Sequence, residues 1–294
     1  GLDPPKETDL SKLFDEYRKY SVTRHSPASQ KRYKAIINHF QTFLRGWPFL
    51  SKISQLNSKI FSDYQDYRKA QGAANKTINT EVTCLQGIFN LAVDWNYCKV
   101  SPSKGVGMLK EEINKAPAFL TKDQCSKILE KADAFMRPIL YTFLHTGMRK
   151  AELENLEWDD VDLERKKIKI RYKDNWQPKT SERQIPINNG LMDVFLAQKA
   201  KAVPGCSLVF PKNGEKVEPN YLRKKFMELT KACGFGHMTC IHTLRHTFAS
   251  HLVMGGVDLP TVQKLMGHAN IATTMIYSHL ADEHVDRAVE KLNF

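Results

Sequence analysis

Residues 241–280 read IHTLRHTFASHLVMGGVDLPTVQKLMGHANIATTMIYSHL, and the rest of the chain is best read outward from them. His242 and Arg245 are three residues apart, so on a helix they lie about 60° apart around the axis and can address one small anion. Leu244, Phe248 and Leu252 recur every four residues and would anchor the opposite side. The free N–H groups of a helix start near Thr243 would add to the attraction for an anion. Gly255-Gly256 ends this helix, and Asp258 with Pro260 opens another. Gly267 closes the second helix, His268 follows at once, and Tyr277 stands nine residues further on. Taken singly, H-x-x-R also reads as a solvated helix start, and Tyr277 as a packed aromatic.

About a hundred residues upstream stands Thr146-Gly147-Met148-Arg149-Lys150-Ala151-Glu152-Leu153. Gly147 breaks a buried helix, Arg149 follows it, and Glu152 is placed to hold the guanidinium. Between the two motifs, Lys167 to Tyr172 alternates polar and apolar as a half-buried strand does. Arg183-Gln184-Ile185-Pro186-Ile187 reads as its return strand, with a polar turn carrying Asp174, Asn175 and Lys179 between them. Helical stripes flank this hairpin near 122–132 and 136–146, with Thr121 as an N-cap, and helices resume after it.

Residues 8–96 read as four helices. Leu10, Leu13, Phe14 and Tyr17 form one stripe, and Tyr33, Ile36, Ile37, Phe40 and Leu44 a second, with Pro27 near its start. A third helix is expected over about 58–71 and a fourth over 76–95. Short links suggest a compact helical domain. Residues 101–117, SPSKGVGMLKEEINKAP, break the pattern and read as an interdomain linker. The expected organisation is a helical domain over 7–100, the linker over 101–117 and a mixed domain over 118–294. The fold class is mainly α with a small antiparallel β-sheet.

The net charge is +12 over 294 residues. Residues 1–110 hold 17 basic against 9 acidic side chains, and residues 111–294 hold 27 against 23. A basic front joined to a more balanced remainder suggests a polyanion partner. No apolar run approaches a membrane span and no signal peptide opens the chain, so the expected compartment is cytoplasmic. The six cysteines form no C-x-x-C pair. Cys233, His237, Cys240 and His242 fall within ten residues but match no common zinc spacing, and the thiols are expected to be free and buried.

The ordered set TGMRKAEL, a lysine in a strand turn, HTLRH, GH and then Tyr277 strongly resembles the tyrosine recombinase, or phage integrase, family. The front segments QKRYKAIINHFQTFL and KTINTEVTCLQGIFNLA look like that family's core-binding domain. The resemblance implies a two-domain, C-shaped clamp on double-stranded DNA. It implies that Arg149 and Arg245 clamp the scissile phosphate, that His242 and His268 donate hydrogen bonds to it or assist proton transfer, and that Tyr277 is the nucleophile. Lys179 would be the general acid for the leaving 5′ oxygen. Lys179 lies seven residues before Pro186, where the family usually has eight; Lys173, 24 residues after Arg149, is its rival, although PKTSERQIPI matches the local motif better.

The resemblance further implies a homotetramer on paired target sites, a monomer or weak dimer in free solution, and neither metal nor other cofactor. The apolar stripe Val285, Ala288, Val289 and Leu292 in residues 281–294 reads equally well as packing on its own domain, whereas the resemblance implies that it docks on a neighbouring protomer. Integration and excision of a phage or mobile element is the expected use, with a Xer-like chromosome-dimer resolvase as the alternative. Two other classes differ from this one. A non-catalytic DNA-binding protein of the same fold would leave a nicked plasmid uncut, and a metal-dependent nuclease, for which no Asp/Glu cluster is visible, would respond to EDTA.

Overall fold

The computed structural model describes residues 7–111 and 117–281. The chain divides into two compact units, Gly1–Asn114 and Lys115–Phe294. The fold is mainly helical with one small antiparallel sheet. Among the described residues no helix is long and apolar enough to cross a membrane.

The first unit is built on four helices: α1 (Leu10–Arg24), α2 (Pro27–Leu44), α3 (Ser58–Ala70) and α4 (Asn75–Asp94). Ser26 caps α2 from in front of Pro27, and Asn57 accepts two N–H groups at the start of α3. The four apolar stripes meet on Phe14, Phe40, Phe61 and Phe89, all fully buried. Phe40 stacks on Phe61 at 5.4 Å, and Phe89 meets Phe61 edge-on at 5.3 Å. Glu81 is buried among them and fully engaged. It accepts from Tyr64, twice from Arg68 and, at 3.2 Å, pairs with His39. A buried carboxylate is tolerated because every lone pair has a partner.

Part of the stretch 101–117, expected to be an interdomain linker, is held on the first unit. Val106 is buried in the helical core. Asn79 holds Leu109 by both its backbone N–H and its carbonyl, and Gln65 and Asn75 donate to the carbonyls of Gly107 and Lys110. Side-chain amides of α3 and α4 thus satisfy backbone groups that no helix or sheet could.

The second unit begins with α5 (Lys122–Lys131), α6 (Met136–Thr146) and α7 (Lys150–Glu154). Thr121 and Gln124 form a reciprocal capping box at the start of α5. The sheet follows, with β1 (Val161–Asp162), β2 (Lys167–Ile170) and β3 (Arg183–Pro186) in that order. Ile168 pairs with Ile185 across β2 and β3, and both face the core. Strand β2 stops at Ile170, short of the expected Tyr172, because Arg171 turns to pair with Asp160 and the Tyr172 N–H goes to the Glu182 carboxylate. The unit closes with α8 (Asn189–Lys199), α9 (Tyr221–Ala232), α10 (Thr243–Met254) and α11 (Leu259–Met266). Beyond α11 the chain runs in 3-10 turns, Ile271–Thr273 and Met275–Leu280, rather than in an α-helix.

Helix α10 is the axis of the second unit. It packs on α6, α11 and the final 3-10 turn. Leu244 is fully buried, while Phe248 and Leu252 are only partly so. Thr243, Arg245, Thr247, Ala249, Ser250 and Val253 are buried as well, so the helix is enclosed on more than one face. The cysteine thiols, expected to be buried, are partly exposed, and Cys240 is exposed outright.

Candidate active site

The candidate residues gather where three helix ends meet: the end of α6, the end of α11 and the start of α10. Helix α6 stops at Gly147, whose left-handed φ of 60° favours glycine. A Cβ there would stand 2.3 Å from the Phe248 ring. The tight turn buries Met148 and makes Arg149 the N-cap of α7. Glu152 accepts the Arg149 backbone N–H at 2.8 Å and its Nη1 at 2.9 Å. Arg149 also donates to Thr180 Oγ1 at 3.1 Å and to the Gly267 carbonyl at 3.2 Å.

Arg245 is the largest fully buried side chain among the described residues, only 1% exposed. Its guanidinium donates to the carbonyls of Gly147 and Met266. Burial and the neighbouring Arg149 charge bring its pKa down to about 9, which leaves it cationic at neutral pH. Arg183, the first residue of β3, donates to the Leu265 carbonyl at 3.0 Å and to both oxygens of Glu152 at 3.0 and 2.6 Å. The last carbonyls of a helix have no partner within it and carry the negative end of its dipole. Here Leu265, Met266 and Gly267, at the end of α11, are each taken by a different arginine: Arg183, Arg245 and Arg149. Burial raises the Glu152 pKa, but the Arg183 and Arg149 charges outweigh it and hold the carboxyl below its ordinary value.

His268 follows Gly267, and its Nδ1 lies 2.9 Å from Thr274 Oγ1. Burial, then the charges of Arg245, Arg149 and Arg183, push its pKa down to about 4. His242 sits at the N-cap position of α10. Packing of its ring, with His246, Arg245, Arg149 and Lys179 nearby, takes it down to about 4 too. Both rings are therefore neutral at pH 7, each able to donate one N–H. Tyr277 lies in the last 3-10 turn, 1% exposed, against Ala249, Val253, Val262 and Met266. Its hydroxyl is 2.6 Å from His246 Nδ1. Burial raises the phenol to about 12, against the opposing pull of Arg245.

The two candidate lysines part company. Lys179 is exposed on the β2–β3 turn, and its charge reaches His242. The next residue, Thr180, is bonded to Arg149. Lys173 is largely enclosed in an ion-pair cluster, where its ammonium meets the Asn155 carbonyl at 2.6 Å, Glu157 at 2.7 Å and Asp160 at 2.6 Å. An ammonium has three hydrogens, and all three are engaged there.

Arg149, Lys179, His242, Arg245, His268 and Tyr277 thus share one neighbourhood, within a single unit. Two members escaped the sequence reading. Nothing local to SERQIP signals that Arg183 shares Glu152 with Arg149, because the pairing spans 31 residues. His246 was legible in principle, since it follows His242 by four residues and so lies on the same helix face.

The model of the phage integrase family matches residues 118–284, and that of the phage integrase SAM-like domain matches residues 9–113. The chain is 28% identical over 278 residues to a tyrosine recombinase XerC of Thermodesulfovibrio yellowstonii, covering 89% of this chain and 88% of the relative. It is 29% identical over 307 residues to the XerC of Shigella dysenteriae, covering 95% of each. In fold it is similar to the Tn1549 transposon integrase in complex with transposon right end DNA, with a TM-score of 0.79, 20% identity, and 96% of this chain and all of that one covered. A lambda integrase tetramer bound to a Holliday junction matches with a TM-score of 0.75 and 18% identity, over 92% of this chain and 80% of that one. With family models matched on both sides of residue 115 and the family's ordered motif gathered around one buried arginine cluster, the chain belongs to the phage integrase family.

Proposed function

We propose that this chain cuts and rejoins double-stranded DNA at specific sites through a 3′-phosphotyrosine bond to Tyr277. The observation that carries the reading is the convergence of Arg149, Arg245, two uncharged histidines and a hydrogen-bonded Tyr277 hydroxyl. A phosphodiester transition state gathers negative charge on its non-bridging oxygens. Guanidinium groups held rigidly in a buried site oppose that charge without reorganising. The Glu152 carboxylate and the α11 carbonyls keep the arginines oriented before DNA arrives. His242 and His268, both neutral, donate hydrogen bonds to the same oxygens. Lys179, exposed on its turn, protonates the departing 5′ oxygen. The phosphotyrosine ester keeps the energy of the broken bond, so rejoining needs no nucleotide.

The assembly we propose is a monomer or weak dimer in solution and a tetramer on paired sites. The DNA-bound relatives of the same fold, a tetramer on a junction among them, support it. Its use in integrating and excising a mobile element draws on the PKTSER turn and on the likeness in fold to residues 82–397 of a transposon integrase. The XerC names of the curated relatives favour a second reading, chromosome-dimer resolution. Flanking phage genes or a neighbouring tRNA attachment site decide for the first, and a locus with neither for the second.

Tyr277→Phe tests the activity itself. On a nicked target duplex, the wild-type protein is expected to form a denaturant-resistant DNA adduct. The Phe variant should bind the same duplex and form none, because only the nucleophilic oxygen is gone. An adduct in the Phe variant overturns the assignment.

A further inference from the structure

We propose that His246 is a catalytic residue of this site, the general base that takes the phenolic proton from Tyr277. The inference rests on Tyr277 being the nucleophile and adds a role outside the six residues named above.

The geometry is direct. His246 Nδ1 lies 2.6 Å from Tyr277 Oη, within the range for proton transfer. The ring is carried by α10 immediately after the buried Arg245, on the most enclosed helix of the unit, so it is held rather than swinging. The His242 ring meets it edge-on at 4.9 Å. The charged and titratable groups facing it are therefore His242 and Arg245 from its own helix and Tyr277 from the last 3-10 turn. Burial and the Arg245 charge push His246 below its ordinary pKa, so the imidazole is neutral at pH 7 and Nδ1 can accept.

The other members of the site are poorer candidates: the Tyr277 hydroxyl is hydrogen-bonded to His246, and among the described residues no hydrogen bond joins it to His242. Guanidinium groups have no acceptor. The protonated Lys179 has none either. His268 turns its Nδ1 to Thr274.

The step balances without an added reactant. The Tyr277 O–H bond breaks and its proton moves to His246 Nδ1 as Oη bonds to phosphorus. The P–O5′ bond breaks, and O5′ takes a proton from Lys179. In rejoining, the 5′ hydroxyl attacks phosphorus and returns its proton to Lys179. The Oη–P bond breaks, and the His246 imidazolium hands its proton back to the phenolate.

Arg245 also gives this arrangement a safeguard. Forming an imidazolium beside a buried guanidinium is unfavourable until a phosphate anion offsets the charge. The phenol therefore stays protonated until DNA occupies the site.

The test is single-turnover adduct formation on a nicked target duplex by the full chain. His246→Asn can keep an acceptor oxygen near the Nδ1 position but cannot take up a proton. We expect its rate to fall by about 10²- to 10⁴-fold with DNA binding retained. The wild-type rate should fall as pH drops through the His246 pKa, below about 6.5, and His246→Asn should lack that acid limb. Attachment within about threefold of wild type overturns the proposal. Should His246→Asn fold poorly, His246→Ala is used instead, with added imidazole. Restored adduct formation supports the base, and no restoration in a folded, DNA-binding protein overturns it. Tyr277→Phe runs alongside. An adduct there overturns the nucleophile, whereas loss there with full activity in His246→Asn overturns the base alone.

Discussion

Lys179 and Lys173 differ in what surrounds their ammonium groups, and the difference makes the proposed role of Lys179 testable. Lys179 is exposed on its turn, whereas Lys173 neutralises Asp160, which is only 1% exposed. A 5′-bridging phosphorothiolate provides a leaving group that needs no proton. That substrate should restore cleavage to Lys179→Ala, and rescue of Lys173→Ala instead would reverse the assignment. Lys173→Ala should lose stability, on the order of 2–3 kcal/mol in urea melts, because a buried carboxylate loses one of its cations while Arg171 remains. His268 makes a pH prediction. Its pKa is near 4 in the folded chain and about 6.5 when unfolded, so the unfolded state binds more protons between these values. Its stabilising contribution is complete above pH 6.5 and lost as pH falls toward 4. His268→Asn should flatten that part of a plot of melting temperature against pH.

The C-terminus of α11 is the element on which the site depends. Three successive carbonyls there orient three arginines, and Gly267 ends the helix in the left-handed region with φ of 65°. A Cβ at Gly267 would stand 2.7 Å from Arg183 Cδ. Gly267→Ala should therefore cost about 1–2 kcal/mol in backbone strain. It should also slow adduct formation by at least about tenfold, because Arg183, Glu152 and Arg149 shift together and a small misplacement at a reacting centre is costly. The Thr121 capping box offers the contrast. Thr121→Ala removes the acceptor for the Gln124 N–H and should cost about 1 kcal/mol of stability with adduct formation unchanged. Equal catalytic loss in both variants would show that the Gly267 effect is only one of stability.

At the scale of the molecule, charge and assembly govern behaviour on DNA. The net charge of +12 predicts affinity that falls steeply with salt, the logarithm of the binding constant declining by about 0.9 per phosphate neutralised for each unit of log salt concentration. Binding that stayed flat between low and high salt would count against a duplex partner. The tail stripe of Val285, Ala288, Val289 and Leu292 lies outside the described residues. If it docks on a neighbouring protomer, deleting 281–294 should leave single-site binding intact and disrupt synapsis of two sites in sedimentation and recombination assays. A head-to-tail contact of that kind closes into a ring and couples the active sites.

The sequence by itself determined the helices of the first unit, the hairpin, the glycine stops and the order and spacing of the motif. All of these are written in local periodicity or in spacing along one segment. The Phe14 and Phe40 stripes are legible because a helix repeats every 3.6 residues, and His242 and Arg245 because three positions share a face. Only the tertiary structure decided what required segments far apart in the chain to meet. Glu152 serves Arg149 and Arg183 together, Lys173 is consumed by Asp160 and Glu157, and His246 rather than solvent holds the Tyr277 hydroxyl. A two-residue strand such as β1 carries too little alternation to be seen, and the stitching of 101–111 onto α3 and α4 runs through side-chain amides that no periodicity marks. The physical reason is one throughout: periodicity records which face of an element is apolar, whereas the partner that satisfies a buried charge is set by packing across the chain.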